Sequence, residues 1–357
     1  MRPFPQSLRR ARGFSLAELL IAVTIGLAIL GGLSAMFVKN IRTQAEIDKA
    51  HRQVENGRYA IDLLAVDLRN AGYFAEFDPG ALPDPAALPP ACAASLADLK
   101  TGLTLAVQGV DDDASGLDCL DDVRDGTDVL VVRRTATCVA GVGSCAPTTE
   151  GGPFFQASLC NNPTELDSSS VDDFYALSLN TANLNRHQRN CTQSANTGTL
   201  AAIRRYQTHI YYIANNNREG DGVPTLKRAE LGSDGAAPTW TTVVPLAEGI
   251  ENLQLEYGMD LAKDGVPDLT SADPAAANGC ADAACAVANW RSVVAVRVHL
   301  LARNSAATAG YKDGKVYTLG LNADGTENSS DAANDAYKRH VFQTQVALPN
   351  PAGRRLP

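Results

Sequence analysis

The chain has 357 residues, 45% of them hydrophobic, 6% aromatic, with a formal net charge of -9. That is enough chain for one large or two smaller domains. The first 13 residues hold four arginines and no acid, so the remainder stands at -13, a charge that repels phosphates and excludes nucleic acid as a main partner.

Past Arg2, Arg9, Arg10 and Arg12 the chain reads GFSLAELLIAVTIGLAIL, with Glu18 near the start of a long apolar run. From Leu19 to Val38 no residue is charged. At about 1.5 Å per residue, that helix matches a bilayer core of about 30 Å. The basic leader predicts a cytoplasmic N-terminus and an exported body. A carboxylate in hydrocarbon costs roughly 2.5–3.5 kcal/mol, so Glu18 calls for a partner.

Ile47, Val54, Ile61 and Leu68 recur every seven residues, with Ala50, Leu64 and Ala71 beside them. The spacing predicts that the helix continues with one apolar stripe laid against a head, and that it ends near Ala71, before Gly72. Gly57 reads as a weak point in that helix. Residues 78–90 are proline-rich and read as extended surface chain.

Beyond them the segments are of β type. Strands are predicted over Thr127–Thr137, Arg205–Ala214, Val223–Leu231, Thr241–Leu246, Ile250–Tyr257, Trp290–Ala302 and His340–Leu348. The turn NNNREGDG reads as a hairpin, and Val294, Val296 and Val298 alternate as in a half-buried strand. Loops 161–174, 265–288 and 321–337 are rich in Asp, Ser and Ala, and surface loops of this kind are where partners are met. The fold class expected is α+β, a long helix packed on a mainly antiparallel sheet.

Eight cysteines, Cys92, Cys119, Cys138, Cys145, Cys160, Cys191, Cys280 and Cys285, all follow the apolar segment, and none shows zinc-chelating spacing. Four disulfides in an oxidising compartment are expected. The sequence allows about a hundred pairings, of which pairing of neighbours in order is favoured.

The arrangement of basic leader, Gly13, Phe14, Ser15, Leu16, Ala17, Glu18 and apolar helix resembles the class III signal of type IV prepilins. The resemblance implies cleavage by a prepilin peptidase between Gly13 and Phe14, then N-methylation of Phe14. It also implies that Glu18 meets the terminal amine of a neighbouring subunit. NGRYAIDLLAVDLRNAGYF, VPLAEGIENLQLEYGMD and WRSVVAVRVHLLAR are similar to the helix end, central strand pair and late strand of PilW-type minor pilins. RHVFQTQVALPNPAGRR fits more loosely, with Pro349 where that family commonly has an arginine.

The resemblance implies a leader over 1–13, a helix over 14–72 with 14–38 in the membrane, and a β-rich head over 73–357. It further implies a non-enzymatic protein that primes pilus assembly at or near the tip. Its partners would be other minor pilins, the major pilin and a tip adhesin. Its location would be the inner membrane with a periplasmic head, then the surface pilus. The readings set against it are a minor pseudopilin of a type II secretion system, of the J kind, and a membrane-anchored exported enzyme or binding protein.

No cofactor is expected. GVGSCA lacks the helix that a nucleotide fingerprint requires. Asp260, Asp264 and Asp268 fall on three calcium-loop positions, but Ala262 and Ser271 stand where ligands are wanted. The acidic run Gly109–Asp128 supplies oxygens without a recognisable loop, and solvated Asp-Gly turns are the simpler reading of both.

Overall fold

The computed structural model describes residue 13 and residues 15–355. It forms two compact units, one ending at His51 and one beginning at Arg52. Helix α1, Leu16–Asn70, runs without a proline and contributes residues to both. It stops where Gly72 takes the left-handed conformation, φ +71°. There the Gly72 N–H donates to the Arg133 carbonyl at 2.8 Å instead of continuing the helical ladder.

In the second unit the strands β1 (Val107–Val110), β2 (Val129–Thr135), β3 (Phe154–Ala157), β4 (Tyr175–Ser178), β5 (Ile203–Ala214), β6 (Thr225–Ser233) and β7 (Pro238–Glu248) form one sheet. A second sheet joins β8 (Ile250–Met259), β9 (Leu269–Ser271) and β10 (Val293–Arg303). A small ribbon of β11 (Tyr317–Leu321) and β12 (Glu327–Ser330) follows, and β13 (Arg339–Ala347) returns to the edge of the second sheet beside β10. All pairings are antiparallel.

Period-two alternation explains how the first sheet is buried on both faces. Leu130 and Val132 of β2, with Tyr211 and Ile213 of β5, enter a core shared with Ala60, Leu64 and Leu68 of α1. Their neighbours Val129, Val131, Ile210 and Tyr212 enter a separate core on the other face. The α1 core also takes Leu253 and Leu255 of β8 and Val296, Val298 and Leu300 of β10, so the end of the helix is packed by both sheets. Each leucine buried this way contributes roughly 1.5–3 kcal/mol.

Several expectations need correcting. The later part of the expected stripe is buried, with Leu64, Leu68 and Ala71 in the core and Ile61 packed against it, but Ile47 and Val54 are exposed and the buried face continues instead through Ala60, Gly57 and Gln53. The stripe misleads because small and polar residues make the closest approach. Gln53 Nε2 donates to the carbonyls of Ala302 and Lys338, at 2.7 and 3.0 Å. Trp290 is not in a strand. It lies in helix α3 (Ala283–Arg291), capped by Asp282, and that helix occupies the end of the 265–288 loop. The β10 strand is not half-buried: as a central strand it is covered on both faces, with Arg297 and Arg303 alone partly open.

The proline-rich stretch 78–90 is anchored, with Pro79, Leu82 and Pro89 buried. Phe154 and Phe155 are core residues. Residues 244–260 do not make a paired unit, because β7 and β8 lie in different sheets and the chain crosses at Gly249, φ +77°. A side chain at Gly249 would meet the Arg303 carbonyl at 2.6 Å. Pro349 leaves the last strand undisturbed: β13 holds a continuous register with β10 from Arg339↔Arg303 to Ala347↔Ala295. Pro349 then opens a short helix after the strand has ended.

Candidate functional site

The N-terminal segment begins with an exchange of hydrogen bonds. Ser15 Oγ accepts from the Glu18 N–H at 3.2 Å, and the Glu18 carboxylate accepts from the Ser15 N–H at 2.9 Å. This is a capping box, in which the two side chains satisfy backbone donors that the first helical turn leaves open. The carboxylate also faces the positive end of the helix dipole. Glu18 is therefore not unsatisfied in the single chain, as its position in an apolar run suggested. The signal was present in the sequence as Ser-x-x-Glu ahead of an apolar run. Of the cleavage positions, Gly13 is exposed and Phe14 lies outside the described residues.

Between Leu16 and Val38 the large apolar side chains are 47–81% exposed. The only hydroxyl near the middle, Thr24, is satisfied internally by the Ile21 carbonyl at 2.9 Å. Among the described residues this is the one helix long and apolar enough to cross a membrane by length and composition. Chemically it is an uncovered apolar cylinder with a single, preoriented carboxylate at its start. Such a surface is stable in lipid or against other helices, not in water.

The cysteines pair as Cys92–Cys119, Cys138–Cys145, Cys160–Cys191 and Cys280–Cys285, with Cα separations of 5.6–6.3 Å. These close loops of the second unit without joining its sheets to one another. Asp260, Asp264 and Asp268 are turned onto their own backbone. Asp260 accepts from the amides of Lys263, Asp264 and Gly265, Asp264 from Val266, and Asp268 from Leu261 and Ala262. The loop they close has Lys263 and Gly265 at positive φ, the Asp-Gly turn chemistry expected of such a stretch.

Three comparisons bear on this arrangement. Residues 8–34 match the family model described as the prokaryotic N-terminal methylation motif. Residues 210–350, from within β5 to the start of the last helix, match the model described as Type IV Pilus-assembly protein W. No curated protein sequence matches the chain. Among solved structures, a type IV-like pilin from Thermus thermophilus is similar at 13% identity and a TM-score of 0.33, covering 84% of this chain and 97% of its own. The segments 244–260 and 290–303 fall inside the second match, whereas 56–74 falls outside both. Over residues 210–350 the chain is similar to PilW-type pilus-assembly proteins, and over residues 8–34 to prepilin-like N-termini.

Proposed function

We propose that the chain is a minor pilin that primes type IV pilus assembly and enters the fibre at or near its tip through its N-terminal helix. The observation that carries this reading is the exposed apolar helix with Glu18 fixed at its first turn. In a bilayer the apolar side chains of that surface are satisfied, while the carboxylate, though hydrogen-bonded to Ser15, still carries its charge in hydrocarbon.

Cleavage between Gly13 and Phe14 leaves an α-ammonium group on Phe14. Ser15 lies beyond the cut, so the capping box survives processing. One Glu18 oxygen holds the Ser15 amide, and the carboxylate keeps acceptor capacity for the ammonium of an adjacent subunit. Burying the two charges together, with hydrogen bonds, is what makes a carboxylate tolerable in a helix bundle. A single helix of this kind cannot leave the bilayer alone. A small preassembled bundle of minor pilins offers the first docking sites to the major pilin.

This reading makes the prepilin peptidase an early partner and the other minor pilins, the major pilin and a tip adhesin later ones. It places the head in the periplasm before assembly and on the surface pilus afterwards. The role is structural and calls on no catalytic group.

The test separates charge from capping. Glu18→Ala and Glu18→Gln are both expected to be processed and inserted yet missing from sheared fibres. Ser15→Ala loses a cap worth about 0.5–2 kcal/mol and is expected to assemble. Normal incorporation of Glu18→Gln would overturn the role of the charge.

A further inference from the structure

The acidic run Gly109–Asp128 comes together in a way its sequence does not announce. The register Gly109↔Leu130 and Val110↔Val129 sets Asp111 against Asp128 just past the end of the β1–β2 ladder. Oxygens of Asp111, Asp112 and Asp128 all lie within 4.8 Å of one another. Ligands on a single shell of radius about 2.3–2.6 Å have to lie within such a span. Among the described residues no other group of three carboxylate, histidine or cysteine ligands converges in this way.

The charges are poorly compensated. Asp128 is 2% exposed, and its oxygens accept from the Asp112 amide at 3.2 Å and the Leu255 amide at 2.7 Å. Asp112 accepts from Gln254 Nε2 at 3.1 Å. These donors are neutral, and among the described residues no cation pairs with any of the three carboxylates.

A second feature points into the same space. Tyr257 of β8 is 1% exposed and its hydroxyl has no hydrogen-bond partner. The hydroxyl presses on Gly109, two residues before Asp111 on the same face of β1, where a Cβ would stand 2.0 Å from it. The charged groups that act on this hydroxyl are Asp128, Asp111 and Asp273. An unpaired buried hydroxyl is unfavourable, and a ligand between it and the carboxylates removes that cost.

We infer that Asp111, Asp112 and Asp128, with the Tyr257 hydroxyl facing them, form a calcium site that ties the two sheets of the head together. An all-oxygen donor set selects hard cations over zinc or copper. Calcium's irregular shell suits carboxylates already held by backbone amides, whereas magnesium demands a near-ideal octahedron. Asp111 and Asp128 belong to the first sheet's β1–β2 end and Tyr257 to the second sheet, so the ion bridges elements that no disulfide joins. The phenol serves as a neutral partner for the ion or for water bound to it. The inference does not depend on the role proposed for α1.

The test is calorimetric titration of the full-length protein in detergent, stripped with a chelator, with calcium chloride and separately with magnesium chloride. One calcium site is expected, with magnesium at least tenfold weaker. Asp112→Asn should weaken calcium at least tenfold. Asp112 is exposed at φ +51°, a conformation asparagine also tolerates, so the variant is expected to fold. Tyr257→Phe should weaken it two- to tenfold, and Asp264→Asn should leave it unchanged. No calcium heat in the wild type, an unaltered affinity in Asp112→Asn, or magnesium binding as tightly as calcium would overturn the inference. Loss confined to Asp264→Asn would also overturn it, by placing calcium at the 260–268 loop.

Discussion

Gly57 of α1 lies beneath the ring of Phe342 on β13, so close that a Cβ built on it would stand 2.2 Å from ring atom Cε2. The glycine that reads as a weak point in the helix is the seat of an aromatic ring. Two effects of opposite sign therefore meet in Gly57→Ala. Helix propensity favours alanine by about 1 kcal/mol, while overpacking against the ring costs about 1–3 kcal/mol. The second should win, and urea unfolding of the full chain should show a net loss. Adding Phe342→Leu should recover much of it. A stabilised Gly57→Ala would show that the ring moves freely.

Asp67 is the polar counterpart of that seat. Its carboxylate, 5% exposed, accepts from His209 Nδ1 at 2.7 Å, Tyr211 Oη at 2.8 Å and Arg134 Nε at 2.6 Å. Burial alone would raise its pKa. The bond and charge of His209, with Arg134 and Tyr211, outweigh burial and hold the group well below the usual carboxylate range. Removing the charge in Asp67→Asn leaves buried donors mismatched, at a cost of about 3–5 kcal/mol near neutral pH.

The same shift sets a pH dependence. Because folding lowers the Asp67 pKa, the unfolded chain holds this proton more tightly. The group's contribution is complete above its unfolded value of about 3.9 and fades as pH falls toward its folded value. The stability gap between wild type and Asp67→Asn should therefore stay constant from pH 7 to about pH 4 and narrow as pH falls further in denaturant titrations. A gap that keeps its size below that pH would mean that shape, not charge, sets the cost.

Arg339, at the start of β13, joins three acids. Its guanidinium donates to Glu251 at 2.6 Å, Asp313 at 3.0 Å and Asp335 at 2.7 Å. Asp313 is fully buried, and the Asp335 carboxyl is pulled down to about 2, chiefly by its bond to Arg339. Arg339→Ala should cost about 3–5 kcal/mol because it strands the fully buried Asp313, whereas Glu251 keeps Arg124 and Arg303. Arg339→Lys should recover little, since one ammonium cannot reproduce the planar fork. Thermal unfolding of the two variants decides the point, and full recovery by lysine would contradict the geometric argument.

The disulfides differ in access. Cys160 is wholly buried, whereas Cys138 is exposed and Cys145 half-buried in a surface loop. Under mild reduction and alkylation, label should reach Cys138 and Cys145 early and Cys160 last. Peptide mapping across a time course measures the order. Early labelling of Cys160 would show that its loop opens readily.

Much of this was legible in the sequence, for identifiable reasons. The 55-residue helix and the strands β2, β5, β6, β8 and β13 follow from periodicity and from breakers such as Gly72. The Gln53–Gly57 part of the buried face of α1 was not legible, because these residues make contact through a hydrogen bond and an absent side chain, which hydrophobicity does not score. Short strands such as β3 and β9 escaped because three or four residues carry too little pattern. Trp290 looked like strand because an apolar run continued across the α3–β10 junction. At the candidate assembly site the charge at Glu18 stood out, yet its bond to Ser15 went unread. The convergence of Asp111 with Asp128 is a consequence of strand register, which the linear sequence does not display.

The most direct test of the central claim is the mature N-terminus, read by mass spectrometry on protein from sheared surface fibres and from membranes. The account predicts a chain beginning with N-methylated Phe14 in the fibre fraction. A chain still beginning at Met1, or absent from fibres under piliating conditions, would contradict it.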